Sequence, residues 1–109
     1  MKKIELKDAK SYQAPKHYNM TAFRLHGKEE SDAQKFSVGL SHFLPGGGAE
    51  YVVVPVEIVY FVLEGEITIS TESEKFILKQ WDSIHISPGE GREVINETNK
   101  PASMLVIVA

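Results

Sequence analysis

No apolar helical periodicity in this chain persists beyond a turn or two. Short runs of β-branched and aromatic residues are instead cut by turn residues about every 8 to 12 positions. The predicted strands are Met20–His26, Phe36–Leu44, Tyr51–Val54, Ile58–Leu63, Glu66–Thr71, Lys75–Lys79, Ser83–Ile86, Arg92–Ile95 and Met104–Val108. They are separated by HGKEES, PGGG, PVE, EG, TESE, QWD, SPGEG and NETNKPA. Many short strands with frequent turns point to an all-β antiparallel sandwich or barrel. Residues 1–19, polar and Lys-rich, read as an arm or a loosely attached first strand, and residues 20–109 as the barrel domain.

Side chains alternate across a strand, so the apolar pattern assigns faces. In Phe36–Leu44 the more apolar face carries Val38, Leu40, His42 and Leu44, which predicts that His42 points inward. The same rule turns Ile67 and Ile69 inward. It turns Ile84 and Ile86 inward as well, with His85 outward beside Ser83. Ile58–Leu63 is apolar on both faces, so its outer face needs a cover. That cover is a second sheet or a second subunit, and a homodimer is expected, with the 1–19 arm crossing to the partner.

A length of 109 residues supports one domain with its own core. The net charge of −3 implies no basic face and argues against nucleic-acid binding. No apolar stretch reaches the roughly 18 residues that span a bilayer; the longest, Tyr51–Leu63, is interrupted by Pro55 and Glu57. There is no cysteine, which excludes disulfides, thiolate chemistry and Cys-type zinc sites, and fits a cytoplasmic location. MKKIELKDAK is too polar for a signal peptide.

From Gly46 to Asn96 the spacing resembles the two motifs of the cupin superfamily. The first frame runs Gly46, Val52, Val54, Ile58, Gly65, and the phrase YFVLEGEITI and the preceding PGGG suit it. The second runs Trp81, Ser87, Gly89, Arg92, Asn96, with fifteen residues between the two. The resemblance implies a jelly-roll, double-stranded β-helix barrel of the small single-domain type. In that family two His and one Glu of the first motif and one His of the second hold a divalent metal. Here those seats are Val52, Val54, Ile58 and Arg92. Aliphatic side chains donate no lone pair and a guanidinium has no acceptor, so no metal and no other cofactor is expected. A non-standard metal site built from His42, Glu50 or Glu57 is the alternative. Trp81 and Ser87 replace a motif glycine and proline.

By frame and parity, His42, Tyr60, Arg92 and Asn96 face a cavity otherwise lined by aliphatic side chains, among them Val52, Val54 and Ile58. Arg92 puts a fixed positive charge where the metal would sit and can clamp a carboxylate with two parallel hydrogen bonds; otherwise it is solvated or paired with Glu50, Glu90 or Glu93. His42 and Tyr60 are the candidate catalytic groups, or else a satisfied core histidine and wall material. Asn96 is either a ligand contact or a turn-fixing residue. His17, His26 and His85 read as surface or interface residues, and KEES and TESE as solvated turns.

Two functions follow. One is metal-independent acid–base chemistry on a small anionic molecule: isomerisation, cyclisation or decarboxylation, as in the sugar-nucleotide epimerases and polyketide cyclases of similar fold. No His–Asp pair is visible and no aspartate lies within the barrel strands, which weakens it. The other is a non-catalytic ligand-binding or assembly module.

Overall fold

A computed structural model describes all residues, 1–109. After a single 3₁₀ turn at Leu6–Asp8 come nine strands: β1 Lys10–Tyr12, β2 His17–His26, β3 Ser37–Val53, β4 Ile58–Glu64, β5 Ile67–Ser70, β6 Lys75–Leu78, β7 Ser83–Ile86, β8 Gly91–Ile95 and β9 Ala102–Val108. All pairings are antiparallel, along the path β6-β5-β8-β3-β9-β4-β7, with the β1–β2 hairpin attached to the side of β3. The chain is an all-β antiparallel barrel, as the strand pattern implied. No helix is long and apolar enough to cross a membrane.

The expected Phe36–Leu44 and Tyr51–Val54 are one strand. PGGG does not end it; it is the corner at which β3 passes from one sheet to the other. Ser37–Phe43 pairs with β9, and Gly48–Val53 pairs with β8. Glycine permits the corner: Gly46 has φ +80, and a Cβ on Gly48 would collide with the Val94 carbonyl oxygen of the adjacent strand. Of the residues read as an arm or a loosely attached first strand, part is in the sheet. Lys10–Tyr12 pairs with Ala22–Arg24 of the same chain, and β2 begins at His17 rather than Met20.

The core fills the space between the two sheets with Phe43, Ile58, Tyr60, Val62, Ile67, Ile69, Ile86, Val94 and Met104 among others. Ile67, Ile69 and Ile86 are inward as predicted. The first part of β3 is reversed from the prediction. Phe43 is 2% exposed and sits opposite buried Ala102, whereas Leu44 is 57% exposed. His42, with Val38 and Leu40, therefore lies on the face away from the core. Two apolar faces compete on this strand, and the interior one carries small residues, Gly39 and Ser41, beside Phe43. A count of apolar side chains selects the wrong face.

Trp81 occupies the motif's glycine seat and has φ +74, a conformation that costs a non-glycine residue roughly 1 kcal/mol or more. Its ring is 63% exposed and lies 6.0 Å, centroid to centroid, from Phe61. Relief of backbone strain should offset most of the lost ring contact. Trp81→Gly is therefore expected to change unfolding free energy by no more than about 1 kcal/mol in urea titration, against about 3–5 for a buried aromatic. A loss above 3 would make the ring a packing element.

Candidate functional site

The two sheets do not close on one another. β6 and β7 end the hydrogen-bonded path without pairing to each other, and a cavity of about 700 Å³ opens between them. Phe76 of β6, Ile69 of β5 and Arg92 of β8 line it from one sheet, and Ile84 and Ile86 of β7 from the other. Glu72, Glu74 and Glu90 reach it from two turns. The volume lies within the ordinary range for small-molecule sites.

Arg92 stands opposite Val52 in the β3–β8 register and is 7% exposed. Its guanidinium crosses the barrel interior to Tyr60 on β4. Nε and Nη2 donate to the Tyr60 hydroxyl at 3.1 and 3.0 Å, and Nη1 donates to the Val52 carbonyl at 3.3 Å. All these acceptors are neutral. The chain's ion pairs are Lys3–Glu5, Lys7–Glu5, Lys75–Glu97 and His85–Glu57, so Arg92 is paired with none of Glu50, Glu90 or Glu93. A guanidinium has five N–H donors. Three are engaged here, which leaves two, together with an uncompensated charge that is costly to bury. Burial pushes the Tyr60 phenol above its usual pKa, and the neighbouring Arg92 charge and hydrogen bond pull partly the other way. Tyr60 thus stays protonated at neutral pH and keeps its own O–H available to donate.

The other expected site residues fall in different places. Val52 and Val54 are half-buried; Ile58 is buried in the core, with Val54 packed against the same cluster. The cavity wall on β3 is formed by Tyr51 and Val53 instead. Past Ala49 the β3–β8 register shifts by a bulge, which re-aims the side chains beyond it. Asn96 is 0% exposed but away from the cavity. Its Nδ2 donates to the Phe43 and Lys100 carbonyls, and its Oδ1 accepts from the Thr98 N–H and hydroxyl. With every valence used, it fixes the turn before β9 and offers nothing to a ligand.

His42, on the outer face, lies with Nδ1 2.8 Å from Ser103 Oγ and its ring edge-on to Phe23. It lines no part of the cavity. The histidine that borders the cavity is His85, whose Nε2 donates to Glu57 Oε2 at 2.7 Å. Strand parity placed His85 outward, and the β4–β7 register agrees by setting it opposite Val59. What the sequence did not reveal is the carboxylate partner, because Glu57 sits in the loop before β4 and alternation says nothing about loops.

The residues at the pattern's metal seats do not fit a metal. Val52, Val54 and Ile58 carry no donor, Arg92 is a cation, and no three His, Cys, Asp or Glu side chains converge anywhere in the chain. His42, Glu50 and Glu57 do not meet either: His42 is bound to Ser103 and Glu57 to His85.

Comparison with known proteins agrees with the architecture. A family model described as a cupin domain matches residues 39–108. A Mycobacterium tuberculosis protein named beta-D-galactosidase is 38% identical over 109 residues, covering 100% of this chain and 94% of its own. The polyketide cyclase RemF of Streptomyces resistomycificus superposes with a TM-score of 0.87 at 20% identity, over 99% of this chain and 78% of that one. The protein TT1209 of Thermus thermophilus superposes with a TM-score of 0.76 at 25% identity, over 100% and 97%. An RmlC-like cupin of Shewanella frigidimarina gives 0.79 at 11% identity, over 97% and 87%.

Proposed function

This chain belongs to the cupin domain family, and on that premise we propose that its barrel mouth binds a small organic molecule by a carboxylate seated on Arg92, without a metal ion. The observation that carries the reading is a guanidinium more than nine-tenths buried, facing a cavity, with neutral partners only. A ligand carboxylate would supply the missing counter-charge and take the two remaining N–H groups. Tyr60, set behind the cavity wall, would hold the guanidinium in place for that ligand. In a catalytic version, His85 held by Glu57 takes the acid–base role first assigned to His42, in an isomerisation, cyclisation or decarboxylation. A binding-only module needs Arg92 and the cavity alone. The test is thermal shift of the purified protein with small aliphatic and aromatic carboxylates, alongside metal analysis. Arg92-dependent stabilisation supports the reading. Stoichiometric iron, manganese, nickel or zinc, or shifts unchanged in Arg92→Gln, would overturn it.

A second reading is favoured by the galactosidase name of the 38% identical relative and by the three glutamates at the opening. Glycoside cleavage needs two carboxyl groups flanking one bond. Release of nitrophenol from nitrophenyl β-D-galactoside, lost in Glu72→Gln, Glu74→Gln or Glu90→Gln, would put this reading first.

For the outer face we propose a second copy of the chain as cover. Val59 and Phe61 of β4 stand beside Leu105 and Ile107 of β9, all half-buried in the single chain. Phe61→Asp is expected to convert a dimer to a monomer by light scattering at micromolar concentration, with the circular dichroism spectrum unchanged. A parent protein that is already monomeric would end this proposal.

A further inference from the structure

The charge around the opening narrows the ligand class. We infer that the molecule taken by this site is a zwitterion, with a carboxylate on Arg92 and an ammonium-type group facing Glu72, Glu74 and Glu90. The inference rests on the Arg92–carboxylate reading. Its starting point is the contrast between the buried end of the cavity and its rim. Arg92 is the only Lys or Arg lining the cavity and lies at the buried end, while the three glutamates are exposed. A simple anion would pass all three carboxylates to reach the guanidinium. A molecule carrying a cation at its far end meets attraction at both ends.

The rim is held in place by its own turns. Glu72 and Glu74 belong to a turn closed by Thr71 N–H to the Glu74 carbonyl at 2.9 Å, with the Ser73 and Glu74 N–H groups donating to Thr71 Oγ1. Neither glutamate's carboxylate has an ion pair or a hydrogen bond within the chain. Lys75, the nearest cation in sequence, pairs with Glu97 at 3.7 Å instead. Glu90 comes from the turn before β8, where one oxygen accepts from the Ser87 N–H at 2.8 Å and the other is free. The rim glutamates alone would not define a site. It is Arg92, nine-tenths buried and lacking an anionic partner, that marks the cavity as built for a ligand, and the rim adds the sign of that ligand's second charge.

Exposed charges several ångströms from a bound cation each contribute weakly in water, so three together should discriminate by about tenfold. The test uses the whole chain and three matched series in calorimetry or thermal shift at low salt. These are butanoate to hexanoate, the corresponding ω-amino carboxylates, and pentylamine. At least one amino carboxylate should bind about tenfold more tightly than its des-amino partner. That advantage should vanish in a Glu72→Gln, Glu74→Gln, Glu90→Gln triple variant, all three sites being exposed, while plain carboxylate binding survives. Pentylamine should bind worse than either. If plain carboxylates bind in an Arg92-dependent way with no amino advantage, the zwitterion inference falls and the underlying reading stands. If nothing binds in an Arg92-dependent way, both fall.

Discussion

The double variant Arg92→Met, Tyr60→Phe is expected to be more stable than the parent in the absence of ligand and to lose all response to carboxylates. Arg92 is a buried cation compensated only by neutral acceptors. Removing it relieves a desolvation cost for which no counter-ion is present. Arg92→Met alone would leave the Tyr60 hydroxyl, itself buried, without the partner it has now, at a cost of about 1–3 kcal/mol. Removing both polar groups avoids that cost. By analogy with buried charge groups replaced by apolar side chains of similar volume, the gain should be about 1–4 kcal/mol in urea titration. Ligand affinity should fall by about 2–5 kcal/mol, the usual loss when one member of a buried charged pair is deleted. A gain in stability together with a loss of binding is the pattern expected of a residue kept for function. If the double variant is less stable than the parent by more than 1 kcal/mol, Arg92 is a structural element and the proposed site loses its anchor.

That Arg92 and Tyr60 both turn inward was legible in the sequence because it depends on register; that the two pair was not. The spacing Gly46 to Gly65 and Trp81 to Asn96 places positions 52, 58 and 92 around one point of a barrel, whatever residues occupy them. In the structure, Val52 and Arg92 are indeed cross-strand partners. The seat the motif reserves for glycine is where Trp81 takes φ +74, so the departure from the motif falls on one of the chain's four positive-φ non-glycine residues. The parts that were not legible are those that alternation does not govern. Glu57 meets His85 through a loop, and the glutamates of the rim come from turns that read only as solvated. Asn96 was ambiguous because a motif asparagine is compatible with either role until its four hydrogen bonds are counted. The PGGG segment read as a break because a corner within a strand and a turn between strands use the same residues.

The face of β3 is where sequence and structure disagree most, and one comparison decides between them. On the apolar count, His42 is interior and Phe43 exterior; in the structure Phe43 packs among Ala49, Ile58, Val62, Ala102 and Met104 in one buried cluster. Phe43→Ala should therefore cost about 3–5 kcal/mol, the transfer loss plus a cavity between two sheets that cannot easily collapse. His42→Ala removes one hydrogen bond to Ser103 and an edge-on ring contact with Phe23, together about 1–2 kcal/mol. For a domain of this size the difference separates the two melting temperatures by on the order of 10 °C. The same pair tests the site assignment. If His42 is outside the barrel, His42→Ala should leave carboxylate-induced stabilisation unchanged, because nothing in the cavity touches it, whereas His85→Ala should alter any turnover. Comparable losses for Phe43→Ala and His42→Ala, or a ligand response that disappears in His42→Ala, would mean that β3 presents the opposite face and that the interior histidine is the one the sequence first indicated.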